Sequence, residues 1–126
     1  MKQHKARIKV TSRSFSRHPV LKQELLELFP NSIFNTEGPA TGLPNIAEFL
    51  NDADGVILGL EQIDHPVLKQ LRNVKIIAKY GVGLDNLDVS SAKELGITVG
   101  WTGGVNKRSA SEQALGFMLG LSRNLF

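Results

Sequence analysis

The chain of 126 residues contains no cysteine, which excludes disulfide bonds, thiolate chemistry and cysteine-based zinc sites. Its three histidines are scattered at positions 4, 18 and 65 and show no metal-ligand spacing, so we expect no metal site. No apolar run approaches the roughly 18 residues that span a bilayer, and the first ten residues contain no apolar signal segment. These absences favour a cytoplasmic protein with no membrane partner.

Acidic residues are absent from the first 23 positions, where seven Lys and Arg residues lie. The other 103 residues carry eight basic and twelve acidic side chains, so the net charge of +3 conceals a basic start. A basic segment can steer an anionic partner, but binding of single-stranded nucleic acid usually adds aromatic side chains that stack on bases. Phe15 is the one Phe, Tyr or Trp in this segment. We therefore expect no nucleic acid partner.

Short apolar runs alternate with helical patterns along most of the chain. The helical patterns are "HPVLKQELLELF", "LPNIAEFLNDAD", "DHPVLKQL" and "DVSSAKELG", and the apolar runs are "ARIKVTS", "SIFN", "VIL", "NVKIIAKY" and "ITV". Ser16, Asp64 and Asp88 are predicted helix N-caps, and Gly96 is predicted to end the fourth helix. Such alternation with short loops predicts right-handed crossovers and a doubly wound α/β domain whose parallel sheet is covered by helices.

The last segment departs from this alternation. From position 106 onward, one helical face collects the apolar residues Ala110, Ala114, Phe117, Met118, Leu121 and Leu125. Gly116 and Gly120 lie four residues apart, and because glycine costs about 1 kcal/mol in a helix, close approach of another backbone is expected. No glycine cap, proline or polar tail follows this pattern. We therefore expect the front part of a longer protein.

Three loops follow strands of the predicted sheet, at the edge where open parallel sheets bind ligands. The first, "TSRSFSRH", is rich in hydroxyl groups and opens a helix. It could hold a phosphate such as that of flavin mononucleotide, but it contains no glycine, so a capped helix start is the favoured interpretation. The second, "GLEQID" at residues 59–64, has only acidic ionisable side chains, which argues against anion binding by side chains there.

The third loop, "YGVGLDN", begins at Tyr80 and places Gly81 and Gly83 on either side of Val82. Because two of its residues lack a Cβ atom, the loop can bring successive amide groups close to a small anion such as a carboxylate. The aspartate and asparagine at its end are expected to fold back and hold the loop through Asx-type hydrogen bonds. A glycine-rich turn with a purely steric purpose would show the same spacing, so the glycines alone leave the function open.

Two segments of the sequence, taken together, resemble a known protein family. The segment "YGVGLDNLDVSSAKELGITV" is followed by the small-residue turn "TGGVN" and then by "SEQALGFMLGLSRN". This combination resembles the N-terminal part of the D-isomer-specific 2-hydroxyacid dehydrogenases, the phosphoglycerate-dehydrogenase-like group that also includes formate dehydrogenase. The resemblance covers nearly the whole chain and is most specific from Ile76 to Leu121.

The resemblance implies a flavodoxin-like substrate-binding domain at residues 1–105 and a hinge helix at residues 106–126 that leads to an NAD-binding domain absent from this chain. The substrate-binding residues that it implies are Tyr80, Gly81, Val82, Gly83 and Asn106. Val82 would also lie close to the nicotinamide of NAD. The implied activity is NAD-dependent oxidation of the CH–OH group of a D-2-hydroxy acid to a 2-keto acid, by an enzyme expected to be a homodimer.

Two features depart from the family pattern. Many relatives have an arginine in the loop after the third strand, where this chain has Gly59 or Leu60, so a substrate phosphate would lack that side-chain partner. Gly103 replaces the proline of the usual turn and should loosen it. The family's G-x-G-x-x-G cofactor loop, its substrate arginine and its glutamate–histidine pair have no counterpart in these 126 residues. We therefore expect no catalytic residue, no bound cofactor and no activity in this chain alone.

Two other functions remain open from the residues. A stand-alone flavodoxin-like module would use the third loop to bind a small carboxylate without a cofactor. A flavin mononucleotide electron carrier would use the first loop and would be yellow when purified. The apolar face of the last helix also predicts self-association of the isolated chain, because exposed apolar patches of that size are rare on monomers.

Overall fold

The computed structural model describes residues 3–36, 43 and 45–125, and within them the chain forms five strands and six helices. In chain order these are β1 (Ile8–Val10), α1 (Arg13–Arg17), α2 (Pro19–Leu28), β2 (Ile33–Phe34), α3 (Ile46–Leu50), β3 (Gly55–Leu58), α4 (His65–Leu68), β4 (Ile76–Lys79), α5 (Val89–Glu94), β5 (Thr98–Gly100) and α6 (Lys107–Ser122). All strand pairs are parallel, and the strand order in the sheet is β2-β1-β3-β4-β5. This is the order of the flavodoxin-like doubly wound fold, so the predicted fold class is confirmed.

The hydrophobic core lies around β3 and β4 and the helices that pack on them. Its buried members are Leu50, Ala53, Val56, Leu58, Ile63, Leu68, Leu71, Val74, Ile77, Leu87, Ala92 and Ile97. Successive side chains of a strand point to opposite faces, and at the start of β4 Ile76 is 43% exposed whereas Ile77 is fully buried. Among the described residues, α6 adds no side chain to this core.

Two of the three predicted N-caps are confirmed. The Asp64 carboxylate accepts a hydrogen bond from the N–H of Val67 at 3.1 Å, at the start of α4. The Asp88 carboxylate accepts one from the N–H of Ser91 at 3.0 Å, at the start of α5. In each case the aspartate satisfies a backbone donor that the first helical turn leaves without an intrahelical partner.

The predicted cap at Ser16 is wrong, because the loop that contains it folds into the short helix α1. Ser16 is buried, and its hydroxyl donates to the carbonyl of Ser12 at 2.8 Å. Ser12 caps α1 by accepting from the N–H of Phe15, and the imidazole of His18 caps α2 instead. The hydroxyl-rich segment after β1 is therefore a capped helix start, which confirms the favoured interpretation.

Helix α6 carries its own stop signal, contrary to the expectation that no cap follows its pattern. Asn124 has a φ of +52°, and its N–H donates to the carbonyl of Leu121 at 3.2 Å. The N–H of Leu125 donates to the carbonyl of Gly120 at 2.9 Å. These two bonds form a Schellman motif in which asparagine takes the left-handed conformation that glycine usually supplies.

No helix in the described part of the chain is long and apolar enough to cross a membrane.

Replacing Asp88 with asparagine is expected to lower the melting temperature at neutral pH by no more than a few degrees, because asparagine caps a helix about as well as aspartate but carries no charge. Hydrogen bonds from the Ser91 hydroxyl, the Ser91 N–H and the Ser90 hydroxyl lower the pKa of Asp88 to about 2. Because this pKa lies below that of the unfolded chain, the charged carboxylate stabilises the fold above about pH 4, and the effect is lost as the pH falls through about 2.

Thermal melts of both proteins by circular dichroism from pH 7 to pH 2.5 check this expectation. The difference in melting temperature between wild type and Asp88→Asn should become smaller below pH 4. Glu94→Gln removes an exposed charge from the same helix and serves as the matched control, which should show no such narrowing. A constant difference at every pH would contradict the assigned role of the carboxylate.

Candidate functional site

The three loops singled out in the sequence meet at one edge of the sheet. Strand β3 pairs with β1 on one side and with β4 on the other, so the loop after β3 lies between the other two. The N–H of Thr11 donates to Ile57 at 3.0 Å, and the N–H of Tyr80 donates to Leu58 at 2.9 Å, which extends the sheet to the start of the loops. Ligands of open parallel sheets bind beyond this edge.

A buried hydroxyl joins the loops after β1 and β3. The hydroxyl of Thr11 donates to the carboxylate of Glu61 and accepts from the N–H of Gly59 at 2.9 Å. Thr11 is fully buried, and Glu61 is only 6% exposed. A Cβ atom at Gly59 would lie 3.0 Å from the Cα atom of Ser12, so only glycine allows the two loops to approach this closely.

A lysine and an asparagine join the loops after β3 and β4. The ammonium group of Lys79 donates to the carbonyl of Gly59 and, at 2.8 Å, to the carboxamide oxygen of Asn86. The carboxamide nitrogen of Asn86 donates to the carbonyls of Gly59 and Glu61, at 3.1 and 2.6 Å. Burial lowers the pKa of Lys79, while the charges of Glu61 and Asp85 oppose that shift.

The expectation that the asparagine folds back onto its own loop is therefore wrong. Asn86 uses its side chain to hold the loop after β3, because that loop presents two backbone carbonyls that need donors. The carbonyl of Asn86 also accepts from the N–H of Ile63 at 2.8 Å. These bonds join the loop after β4 to the loop after β3.

The glycine loop, residues 80–83, follows directly after β4. Gly81 has a φ of +155°, a backbone conformation that L side chains rarely adopt. Tyr80 is 39% exposed and Val82 is 47% exposed. Within the described part of the chain, the N–H groups of residues 81–83 donate no hydrogen bond. Exposed amide groups at the end of a parallel strand can bind a small carboxylate.

Asn106 occupies the position that precedes the first residue of α6. It is exposed, and its side chain makes no capping hydrogen bond. Its carbonyl accepts from the N–H of Ala110 and from the hydroxyl of Ser109, both at 3.0 Å. The described contacts connect Tyr80 with Leu58 of β3 and with Phe15 of α1, and they do not include Asn106. The binding roles of these residues stay predictions.

Sequence reasoning missed a cleft between α1 and the loop after β3. Its volume is about 420 Å³, and it is lined by Ser12, Arg13, Ser14, Arg17, Leu60 and Glu61. The ring of Phe15 contacts the ring of Tyr80 edge-on, with the centroids 5.3 Å apart, so α1 reaches the glycine loop as well. The signal in the sequence was two arginines four residues apart, a spacing that places both on one face of a helix.

This cleft changes the charge that we expect in the surroundings of the loop after β3, residues 59–64. The acidic side chains of residues 59–64 argue against anion binding by that loop alone. The fold adds two guanidinium groups from α1, which is distant along the chain but adjacent in space. In the residues that the structure describes, no cluster of three or more His, Asp or Glu side chains could hold a metal ion.

Comparison with known proteins gives consistent matches. The family model described as D-isomer specific 2-hydroxyacid dehydrogenase, catalytic domain, matches residues 14–116. Over 70 residues the chain is 40% identical to a hydroxypyruvate reductase of Thermotoga maritima, a match that covers 56% of this chain and 23% of that protein. Over another 70-residue match it is 36% identical to a D-3-phosphoglycerate dehydrogenase of Archaeoglobus fulgidus, covering 56% of this chain and 13% of that protein.

A solved structure shares the fold. The NAD+-bound 3-phosphoglycerate dehydrogenase of Entamoeba histolytica superposes with a TM-score of 0.72 and 26% sequence identity. The superposition covers 93% of this chain and 39% of that one. The matches thus span less than a quarter of the two curated relatives and well under half of the solved structure.

Proposed function

The chain belongs to the D-isomer specific 2-hydroxyacid dehydrogenases, and we propose that it forms the substrate-binding part of an NAD-dependent member of that family. In this proposal the whole protein interconverts a D-2-hydroxy acid and the corresponding 2-keto acid. Oxidation would transfer the C2 hydrogen as a hydride to NAD+ when it is bound, and a base in the rest of the protein would accept the proton of the hydroxyl group. The NAD+ bound in the related Entamoeba histolytica structure supports the choice of cofactor.

The observation that carries the proposal is the loop at residues 81–83. Its N–H groups donate no hydrogen bond to the described residues, and the φ of +155° at Gly81 holds the backbone in a shape reserved for glycine. A carboxylate bound there would fix the orientation of the neighbouring C2 atom, which is what hydride transfer needs. We assign the exposed side chain of Val82 to the nicotinamide contact and the carboxamide of Asn106 to the substrate site.

The division of the chain follows from the same proposal. Residues 1–105 would be the flavodoxin-like substrate-binding domain, and residues 106–126 would be the hinge to an NAD-binding domain. The absence of α6 side chains from the core described above supports this division. The catalytic residues and most contacts to NAD would then belong to the rest of the protein, and residues 1–126 alone would be inactive.

We also propose that the enzyme is a homodimer of the cytoplasm. The exposed side chains of α6 include Leu115, Phe117, Met118, Leu119 and Leu121. An apolar surface of this kind is usually covered by another protein surface, which supports self-association of the isolated chain. The lack of cysteine agrees with a reducing compartment.

A nuclear magnetic resonance titration of the ¹⁵N-labelled chain tests the proposed carboxylate site. Pyruvate is expected to shift the amide signals of Gly81, Val82 and Gly83, because its carboxylate accepts hydrogen bonds from them. Pyruvamide, which replaces the carboxylate with an uncharged amide, is the matched control and should shift none of them. Equal responses to both compounds, or NAD-dependent turnover of a hydroxy acid by the chain alone, would contradict the assigned roles.

A further inference from the structure

Arg13 lines the cleft between α1 and the loop after β3, and its guanidinium group has no partner in the part of the chain that the structure describes. Its Nε atom is buried and has no hydrogen-bond partner among the described residues. No hydrogen bond or ion pair from its other guanidinium nitrogens to the described residues is present either. A buried N–H donor without an acceptor is unfavourable, so this position favours an acceptor that comes from outside the chain.

Further donors surround Arg13. Arg17 lines the same cleft, and one of its guanidinium nitrogens donates to the carbonyl of Thr36 at 3.2 Å, which holds the side chain in place. The hydroxyls of Ser12 and Ser14 lie 3.1 Å apart on the wall of the cleft. Guanidinium and hydroxyl groups in this arrangement suit an anion with several oxygen atoms.

One acidic side chain, Glu61, also lines the cleft among the described residues, and its negative charge opposes the binding of an anion. Its carboxylate already accepts a hydrogen bond from the hydroxyl of Thr11, and it also interacts electrostatically with the positive charge of Lys79. Glu61 is only 6% exposed. Among the described residues, two arginines and one carboxylate line the cleft, and that carboxylate has its own partners.

The cleft and the glycine loop are neighbours at the same edge of the sheet. Gly59 contacts Ser12 of the cleft wall and accepts a hydrogen bond from Lys79, whose side chain lies beside Gly81. The edge-on contact between the rings of Phe15 in α1 and Tyr80 is a second connection between the cleft and the glycine loop. The cleft and the glycine loop are therefore connected through the loop after β3.

We propose that the Arg13 cleft binds a second anionic group, a phosphate or a carboxylate, at the far end of the hydroxy or keto acid. This inference rests on the proposed function, since residues 81–83 would hold the first carboxylate of the same molecule. Arg13 is then a specificity-determining residue that selects dianionic substrates, and Arg17 with the two serines completes the site. The substrate class is a 2-hydroxy acid whose chain ends in a second acid group.

The test is a titration of the ¹⁵N-labelled chain with D-glycerate, D-malate and D-3-phosphoglycerate, followed at two reporters. The amides of residues 81–83 should respond to all three acids. The Nε–Hε signal of Arg13 should respond only to an acid with a second anionic group. A stronger response to D-malate would identify a carboxylate site, and a stronger response to D-3-phosphoglycerate a phosphate site. Arg13→Gln should weaken binding of that acid about tenfold or more and leave the affinity for D-glycerate unchanged.

Two further variants sharpen the result. Arg13→Lys keeps the charge but loses the planar fork, so it should recover only part of the affinity. Arg72→Gln removes the same charge from an exposed position before β4, at the opposite edge of the sheet, and should change nothing. The inference is overturned if the three acids bind equally, or if Arg13→Gln weakens all three to the same extent. A response at Arg13 with no response of residues 81–83 to any acid would instead refute the proposed function and leave a separate anion site.

Discussion

Gly81→Ala should weaken the binding of pyruvate to this chain about tenfold or more while the fold stays intact. At a φ of +155° a side chain is strained, and conformations of this kind cost on the order of 1–3 kcal/mol. The added Cβ atom would also lie 3.3 Å from Cε of Lys79, the residue that joins this loop to the loop after β3. The loop must therefore shift, which would move the N–H groups that are proposed to bind the carboxylate.

The dissociation constant of pyruvate, measured from the amide shifts of residues 82 and 83, checks this result. Gly116→Ala is the matched control, because a Cβ atom there meets nothing within 4 Å and alanine favours the helix. That variant should bind pyruvate as wild type does. If Gly81→Ala keeps full affinity, the glycine loop is not the carboxylate site, whatever the family resemblance implies.

Ile77→Ala should lower the free energy of unfolding by about 2–5 kcal/mol, which is a large part of the stability of a domain of this size. Ile77 is fully buried at the centre of β4, so its removal leaves a cavity that the flanking strands cannot fill. Urea unfolding followed by circular dichroism gives the value directly, provided that the slope of the transition stays the same.

The neighbouring residue provides the control for this prediction. Ile76 has the same side chain on the same strand and is 43% exposed. Ile76→Ala should therefore cost clearly less than Ile77→Ala, about 1 kcal/mol or less. Equal losses at both positions would mean that the alternation of burial along β4 is wrong.

The fold was predictable because its signals are local. A buried apolar run such as β3, or an aspartate such as Asp64 before an apolar helical repeat, acts within a few residues, and short loops leave little choice of topology. Asn124 was missed because only glycine or proline was expected at a helix end, although asparagine also reaches the left-handed region.

The site was only partly predictable, because its contacts depend on which strands are neighbours. The glycine spacing at 81 and 83 is local and indicated a binding loop. Asn86 had a local alternative in an Asx turn and instead bonds to a loop 25 to 27 residues away. Arg13 lies opposite Leu60 only because β1 and β3 are paired, so the expectation that a phosphate would find no side-chain partner beside this loop did not consider α1.

Helix α6 is held mainly by its own backbone, and this has a consequence for its dynamics. It has 16 residues, and only Gly120 among them is buried. Isolated helices of about this length have marginal stability in water, so the amide hydrogens of α6 should exchange with deuterium through local opening. The amide hydrogens of β4 should exchange only when the whole domain unfolds. A surface that packs on Met118 and Leu121 would stop this exchange, and the energy needed to order the helix would be subtracted from its affinity. The protection of α6 against exchange is thus a direct measure of how much of the chain has a partner bound.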